Sequence, residues 1–252
     1  MSGRLTVVGL GPGPDDWVTP AARKAVADAD IVLGYTAYTN RITQRPGQRI
    51  EASDNREELQ RARRALEFAC AGETVAIVSG GDPGVFAMAA AVFEAVDKGP
   101  GAWGAIDIRV EPGVTAMLAA AARVGAPLGH DFCAISLSDN LKPWQLIADR
   151  LRLAAEADFV MAIYNPASKA RPEQIDKAFA VLGQHCAPDT VVVFARAAGR
   201  ADEEIDITTL AQAHTFPVDM RTLVIVGSSA TRLIVRPDGR HWVYTPRFAG
   251  DA

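Results

Sequence analysis

Short β-branched runs alternate with longer alanine-rich stretches in the first part of the chain. That alternation constrains the fold more than any other feature. Leu5-Thr6-Val7-Val8, Ile31-Val32-Leu33, Val75-Ala76-Ile77-Val78 and Ile106-Asp107-Ile108-Arg109-Val110 read as strands. Residues 20–29, 55–71 and 84–97 read as the helices between them. Thr19 suits an N-cap and Pro20 the first helical position, which pins the start of the first helix. A strand–helix alternation of this kind predicts a mainly parallel sheet covered on both faces.

A second series follows. Phe132 to Leu137, Phe159 to Tyr164, Val191 to Arg196 and Thr222 to Val226 read as strands, with 143–156 and 172–183 as helices. Pro172, like Pro20, suits a first helical turn, and Ile205-Asp206-Ile207 reads as an added strand. In the tail 236–252, Pro237-Asp238-Gly239 signals a turn and Trp242-Val243-Tyr244 a short edge strand. A strand stops and a helix starts within 111–116, so the expected domains are 1–113 and 114–252, both α/β.

Composition narrows the function. At 49% hydrophobic and 22% charged, the chain reads as a folded soluble protein, and no apolar run is long enough to span a bilayer. Met1-Ser2-Gly3-Arg4 leads straight into a strand, without the pattern of a signal peptide. Cys70, Cys133 and Cys186 show no paired spacing, which argues against disulfides or a zinc site and for the cytosol. Helix and strand interiors are their expected places. A net charge of −4 without a basic stripe speaks against nucleic acid. The four histidines have no ligand spacing, so no metal is expected.

Three loops share one design. Val8-Gly9-Leu10-Gly11-Pro12-Gly13-Pro14 follows the first strand. A dinucleotide fingerprint would place a glycine at Pro14 and an acidic residue at the end of the second strand, where Gly34 stands. Val78-Ser79-Gly80-Gly81-Asp82-Pro83-Gly84 joins a strand to a helix expected to start at Pro83 or Gly84, with Asp82 as ligand contact or N-cap. Val110-Glu111-Pro112-Gly113-Val114-Thr115-Ala116 repeats the pattern with a hydroxyl. On one parallel sheet these loops would share its carboxyl edge, where open α/β sheets bind ligands.

Together these loops, with Gly125-Ala126-Pro127-Leu128, resemble the tetrapyrrole methylase family from Val7 to about Val226. Gly34-Tyr35-Thr36-Ala37-Tyr38, Gly84-Val85-Phe86-Ala87-Met88, His130-Asp131-Phe132, Ile135-Ser136-Leu137-Ser138-Asp139 and Tyr164-Asn165-Pro166-Ala167-Ser168 resemble its branch acting on corrin precursors. The resemblance implies two α/β domains with S-adenosylmethionine in the cleft between them, leaving as S-adenosylhomocysteine. It implies donor contacts at Pro12, Gly80, Gly81, Asp82, Val85, Phe86, Thr115 and Ala116. From the C-terminal domain it adds Tyr164, Asn165, Ala197, Thr222, Leu223 and Val224.

The implied acceptor is precorrin-3B, a metal-free tetrapyrrole in cobalamin biosynthesis. Methylation would be coupled to ring contraction, in which one ring carbon is extruded yet stays attached as an acetyl group. Contraction needs a general acid or base. Tyr35, Tyr38 and Asp139 are the candidates, with Asp82 and Tyr164 beside them. The substrate's carboxylates call for cations, for which Arg41, Arg45, Arg49, Lys142, Lys169, Arg171 and Arg196 are placed. The resemblance also implies a homodimer, with product handed to the next enzyme. Methylation at another corrin position, or of the cobalt-containing precursor, of diphthine or of ribosomal RNA, stays open, as does a ligand-binding protein without activity.

Overall fold

The computed structural model describes residues 3–54 and 57–248. It divides into two compact units, Met1–Ala116 and Met117–Ala252, and the chain passes from one to the other at the start of a helix.

The first unit carries strands β1 (Arg4–Gly9), β2 (Ile31–Tyr35), β3 (Arg49–Ser53), β4 (Thr74–Ser79) and β5 (Asp107–Glu111). They form one parallel sheet in the order β3-β2-β4-β1-β5. Its helices are α1 (Pro20–Asp28), α2 (Thr36–Thr39), α3 (Glu58–Cys70) and α4 (Met88–Lys98); α5 (Ala116–Val124) begins at the unit's last residue. Leu5, Val7, Ile31, Leu33, Val75 and Ile77 turn one face toward Ala62, Leu66, Met88 and Val92 of α3 and α4. Val8, Val32, Ala76 and Val78 turn the other toward Ala22 and Val26 of α1. Both faces are covered, as the alternation predicts. The Thr19 hydroxyl accepts the Ala22 amide at 3.1 Å, a cap worth about 1 kcal/mol.

The sequence reading needs correction in several places. β3 went unread: as the sheet's edge strand it mixes Arg49 and Glu51 with Ile50 and lacks a buried run. The start expected for the helix at 55–71 lies outside the described residues; the helix is described from Glu58. α4 begins at Met88, not at Pro83 or Gly84, because 82–87 form a turn of their own.

The second unit holds β6 (Gly125–Ala126), β7 (Phe132–Ser136), β8 (Val160–Tyr164), β9 (Val191–Arg196), β10 (Glu204–Thr209), β11 (Thr222–Val226), β12 (Arg232–Val235) and β13 (His241–Tyr244). Helices α6 (Trp144–Glu156) and α7 (Gln174–Leu182) link β7 to β8 and β8 to β9. The main sheet is mixed, in the order β10-β9-β11-β8-β7. β7 and β8 pair in parallel, while β11 pairs antiparallel to both β8 and β9, and β10 to β9. β7, β8 and β9, joined by helical crossovers, thus run one way, and β10 and β11, on either side of β9, run the other.

Ile135, Met161, Ile163, Val192, Phe194 and Val224 meet Ile147, Leu151, Ile175 and Leu182 of α6 and α7 in one core. Pro172 lies in the turn before α7 and not in its first helical turn. Trp242-Val243-Tyr244 is no edge strand: β13 lies between β12 and β6 in a small third sheet, and the last residues of the tail lie outside the described ones.

Candidate active site

The three glycine loops leave β1, β4 and β5, which are neighbours in the first sheet, so they emerge side by side at its carboxyl edge. Their backbones touch. Leu10 N donates to Ser79 O at 2.9 Å and Gly11 N to Gly81 O at 3.1 Å. A Cβ on Gly113 would sit 2.3 Å from the Gly81 carbonyl oxygen, and one on Gly9 2.7 Å from Gly113 N. Only glycine permits that approach.

Asp82 staples the second loop to the third. One carboxylate oxygen accepts Gly84 N at 2.8 Å and the other accepts Gly113 N at 3.0 Å. It caps no helix; its charge fixes the relative positions of two loops. Gly80 lies beneath the Tyr38 ring, whose nearest atom would be 2.6 Å from a Cβ at that position. Tyr35 packs edge-on against Tyr38, with ring centroids 5.4 Å apart. Both tyrosines therefore stand beside the second loop.

Gly81 differs from its neighbours. Its φ is +67°, yet a Cβ there would find no atom nearer than 3.9 Å. The backbone has an open side at this residue. Phe86, further along the same loop, has a φ of 52° and a half-exposed ring. Non-glycine residues seldom hold such angles, and those that do cluster at functional sites. Pro12 is half-buried in the first loop, Val85 lies in the turn closed by Val85 N to Asp82 O, Thr115 is buried, and Ala116 opens α5. The first-unit residues predicted for the donor do come together on one edge.

The second unit has an edge of its own. The carboxyl ends of β7, β8 and β9 and the amino end of the reversed β11 lie on one side of the sheet, so Ser136, Tyr164, Arg196 and Thr222 are brought into one row. Asn165 and Ala197, the residues just past β8 and β9, have φ of 53° and 51°. Asn165 Nδ2 donates to Ser136 Oγ at 2.9 Å, and the Tyr164 hydroxyl oxygen accepts Met117 N at 3.1 Å. The Thr222 hydroxyl is engaged with Asp219 at 3.0 Å. Leu223 is buried, and Val224 belongs to the core beneath α6 and α7 with no exposure. The Val224 side chain packs in that core, which leaves the backbone of β11 as the part of this residue that a ligand could meet.

Charge is disposed differently from expectation. Arg171 Nη1 donates to Asp139 Oδ1 at 2.9 Å, Asn140 Oδ1 at 2.8 Å and Ser138 Oγ at 3.2 Å, tying the loop after β7 to the one before α7. The hydrogen bond from Arg171 holds the Asp139 carboxyl below the usual carboxylate range. Arg45 donates to Ala27 O and Ala29 O, Arg196 is paired with Asp219, and Arg49 lies over the Phe68 ring. Arg41 donates to three carbonyls of the first loop. These five cations have structural partners; Lys142 and Lys169 are the expected ones for which no hydrogen bond, ion pair or ring contact is described.

Cys133, half-buried within β7, lies in a strand interior as expected, whereas Cys70 is exposed at the end of α3 and Cys186 lies past α7. Burial pushes the Cys133 and Cys186 thiols upward.

Sequence reasoning missed the staples. A carboxylate in Gly-Gly-Asp-Pro and an arginine after Tyr38 suggest ligand chemistry, and nothing local says that their partners are backbone groups of distant loops. The left-handed angle at Asn165 had a signal, since asparagine is enriched there; Phe86 and Ala197 had none.

A model of the Tetrapyrrole (Corrin/Porphyrin) Methylases matches residues 4–214. Precorrin-3B C(17)-methyltransferase of Sinorhizobium sp is 57% identical over 252 residues, 100% of this chain and 99% of that protein. Among solved structures, the methyltransferase CobJ is similar with a TM-score of 0.92 and 52% identity, over 97% of this chain and 100% of that one. Uroporphyrin-III C-methyl transferase from Thermus thermophilus, solved with S-adenyl homocysteine, has a TM-score of 0.69 at 24% identity over 89% and 97%, and speaks to the fold alone. The loops, the two α/β units and a family match over most of the length agree: the chain belongs to the tetrapyrrole (corrin/porphyrin) methylases, S-adenosylmethionine-dependent methyltransferases.

Proposed function

We propose that the chain methylates precorrin-3B at carbon 17 and contracts its macrocycle to precorrin-4, a step of cobalamin biosynthesis. The observation that carries this reading is the full-length likeness to the Sinorhizobium enzyme. S-adenosylmethionine, when bound, supplies a methyl group already activated on a sulfonium. The protein's part is then to hold donor and acceptor in line and to keep water away.

The residues present fit such a donor. Gly81 offers an open backbone side, Phe86 an exposed ring, and the loop carrying Thr115 is fixed beside them through Gly113 and Asp82. In this reading Pro12, Gly80, Val85 and Ala116 complete the first unit's contacts, and Tyr164, Asn165, Ala197, Thr222, Leu223 and Val224 enter as further ones. Asp82 contributes mainly by holding the loops. Tyr35 and Tyr38, beside the second loop, and Asp139, after β7, are the candidates for proton transfer in ring contraction. Among the described residues no helix is long and apolar enough to cross a membrane. Action in the cytosol as a homodimer, with hand-over of product to the next enzyme and domains of 1–113 and 114–252, belongs to the same proposal.

Incubation of the protein with precorrin-3B and S-adenosylmethionine tests the reading, with mass spectrometry and NMR of the product. One added methyl group and a shortened macrocycle are expected. A methylated product with an intact ring contradicts the contraction while leaving the methyltransferase.

A further inference from the structure

We infer that Arg41 is a positioning residue, a clamp on the first glycine loop that sets the affinity for the sulfonium donor. Arg41 follows α2 and reaches the loop after β1, although β4 lies between β2 and β1 in the sheet. It therefore spans the carboxyl end of β4. Its Nη1 donates to Gly11 O at 2.9 Å, and its Nη2 donates to Leu10 O at 2.7 Å and to Gly13 O at 3.0 Å.

Three carbonyls of one short loop thus converge on one planar cation. Their dipoles repel one another unless a positive charge lies among them, and the rigid guanidinium fork meets several acceptors at once where an ammonium would not. The same loop is tied on its amide side, through Leu10 N to Ser79 O and Gly11 N to Gly81 O. Pro12 and Pro14 have no amide hydrogen to contribute. The first loop is consequently held through amides by the β4 side and through carbonyls by Arg41. Gly11, at φ +64°, takes part in both sets, its N–H donating to Gly81 O and its carbonyl accepting from Arg41.

A cation at this place invites assignment to a carboxylate of the acceptor. The geometry points to a different use, because the fork is aimed into the backbone of the loop. The effect of Arg41 should therefore fall on the donor. This inference rests on the donor placement proposed above, and the test separates the two.

Arg41→Lys and Arg41→Met are compared with the unaltered protein by calorimetry with S-adenosylhomocysteine, by hydrogen exchange without ligand, and by steady-state kinetics. For Arg41→Met the expected results are faster exchange at the Leu10 and Gly11 amides and affinity weakened about tenfold or more. The KM for S-adenosylmethionine should rise with kcat little changed, and Arg41→Lys should recover part of the loss. Unchanged exchange at these amides in both variants overturns the clamp. Unchanged S-adenosylhomocysteine affinity, with a raised KM for the tetrapyrrole, also overturns it and returns Arg41 to the acceptor. If the unaltered protein binds no S-adenosylhomocysteine, the donor placement fails, and exchange in the free protein still decides whether Arg41 holds the loop.

Discussion

The two units end their strands in different ways. In the first, the left-handed turns after β1 and β4 fall on Gly11 and Gly81, and loop is held to loop by backbone contacts that exclude a Cβ at Gly9 and Gly113. In the second, the equivalent turns after β8 and β9 fall on Asn165 and Ala197, and the loops are held by side chains: Asn165 to Ser136, Arg171 to Ser138, Asp139 and Asn140. Side chains brace both edges, Asp82 and Arg41 in the first and Asn165 and Arg171 in the second, but only the first also sets backbone directly against backbone. An edge of the first kind has its shape before any ligand arrives and presents bare backbone. An edge of the second kind spends conformational energy, because each left-handed non-glycine residue costs roughly 1–2 kcal/mol.

The comparison can be broken most easily at Gly113. Replacing it with alanine puts a methyl group 2.3 Å from a backbone oxygen that has no rotamer to escape into. Gly113→Ala should lose about 3 kcal/mol of stability, read by chemical denaturation. A loss under about 1 kcal/mol would show that the loops are not in backbone contact.

Gly81→Ala isolates the conformational term, since space is open there and only φ is wrong. A cost of about 1–2 kcal/mol is expected by the same method. In the second unit the sign should change. Ala195 and Ala197 are both buried within a few residues of each other, but only Ala197 is left-handed. Ala195→Gly should cost about 1 kcal/mol, whereas Ala197→Gly should cost nothing or stabilise slightly. Equal losses in the two would contradict the strain assigned to Ala197.

The smallest effect is expected at Asp139. Its folded-state pKa is depressed by the hydrogen bond from Arg171, so its contribution to stability is present above the pKa of an unfolded carboxyl. That contribution is lost as pH falls through the folded value. The stability gap between the unaltered protein and Asp139→Asn should thus close in acid, and methyl transfer near neutral pH should survive the substitution. Abolished ring contraction in Asp139→Asn, with folding intact, would make Asp139 a proton carrier and not only the partner of Arg171.

The same contrast explains what the sequence disclosed. The first unit's edge was legible because glycine and proline punctuate it, and because Thr19 and Pro20 fix where α1 begins. The apolar runs of β1, β2 and β4 announced a parallel sheet buried on both faces. β3 escaped notice because an edge strand needs no apolar run, and α4 was started too early because Asp82 looked like a cap. The staples escaped for a physical reason: Asp82 and Gly113, or Arg41 and Gly13, are partners only after the sheet has assembled. In the second unit, Tyr164, Asn165 and Ala197 are named by resemblance; asparagine alone hints at a left-handed angle, and nothing local marks the one at Ala197. Strand direction was equally hidden, since β11 is as apolar and as buried as β8 and yet runs antiparallel to it.

The central claim is that the first unit's glycine edge holds the donor. Gly81→Asn tests it most directly, because asparagine tolerates a left-handed φ and its side chain would project into the open side of the loop. Calorimetry with S-adenosylhomocysteine should show affinity reduced about tenfold or more beside a nearly unchanged melting temperature. Binding equal to that of the unaltered protein would contradict the claim and move the donor off this edge.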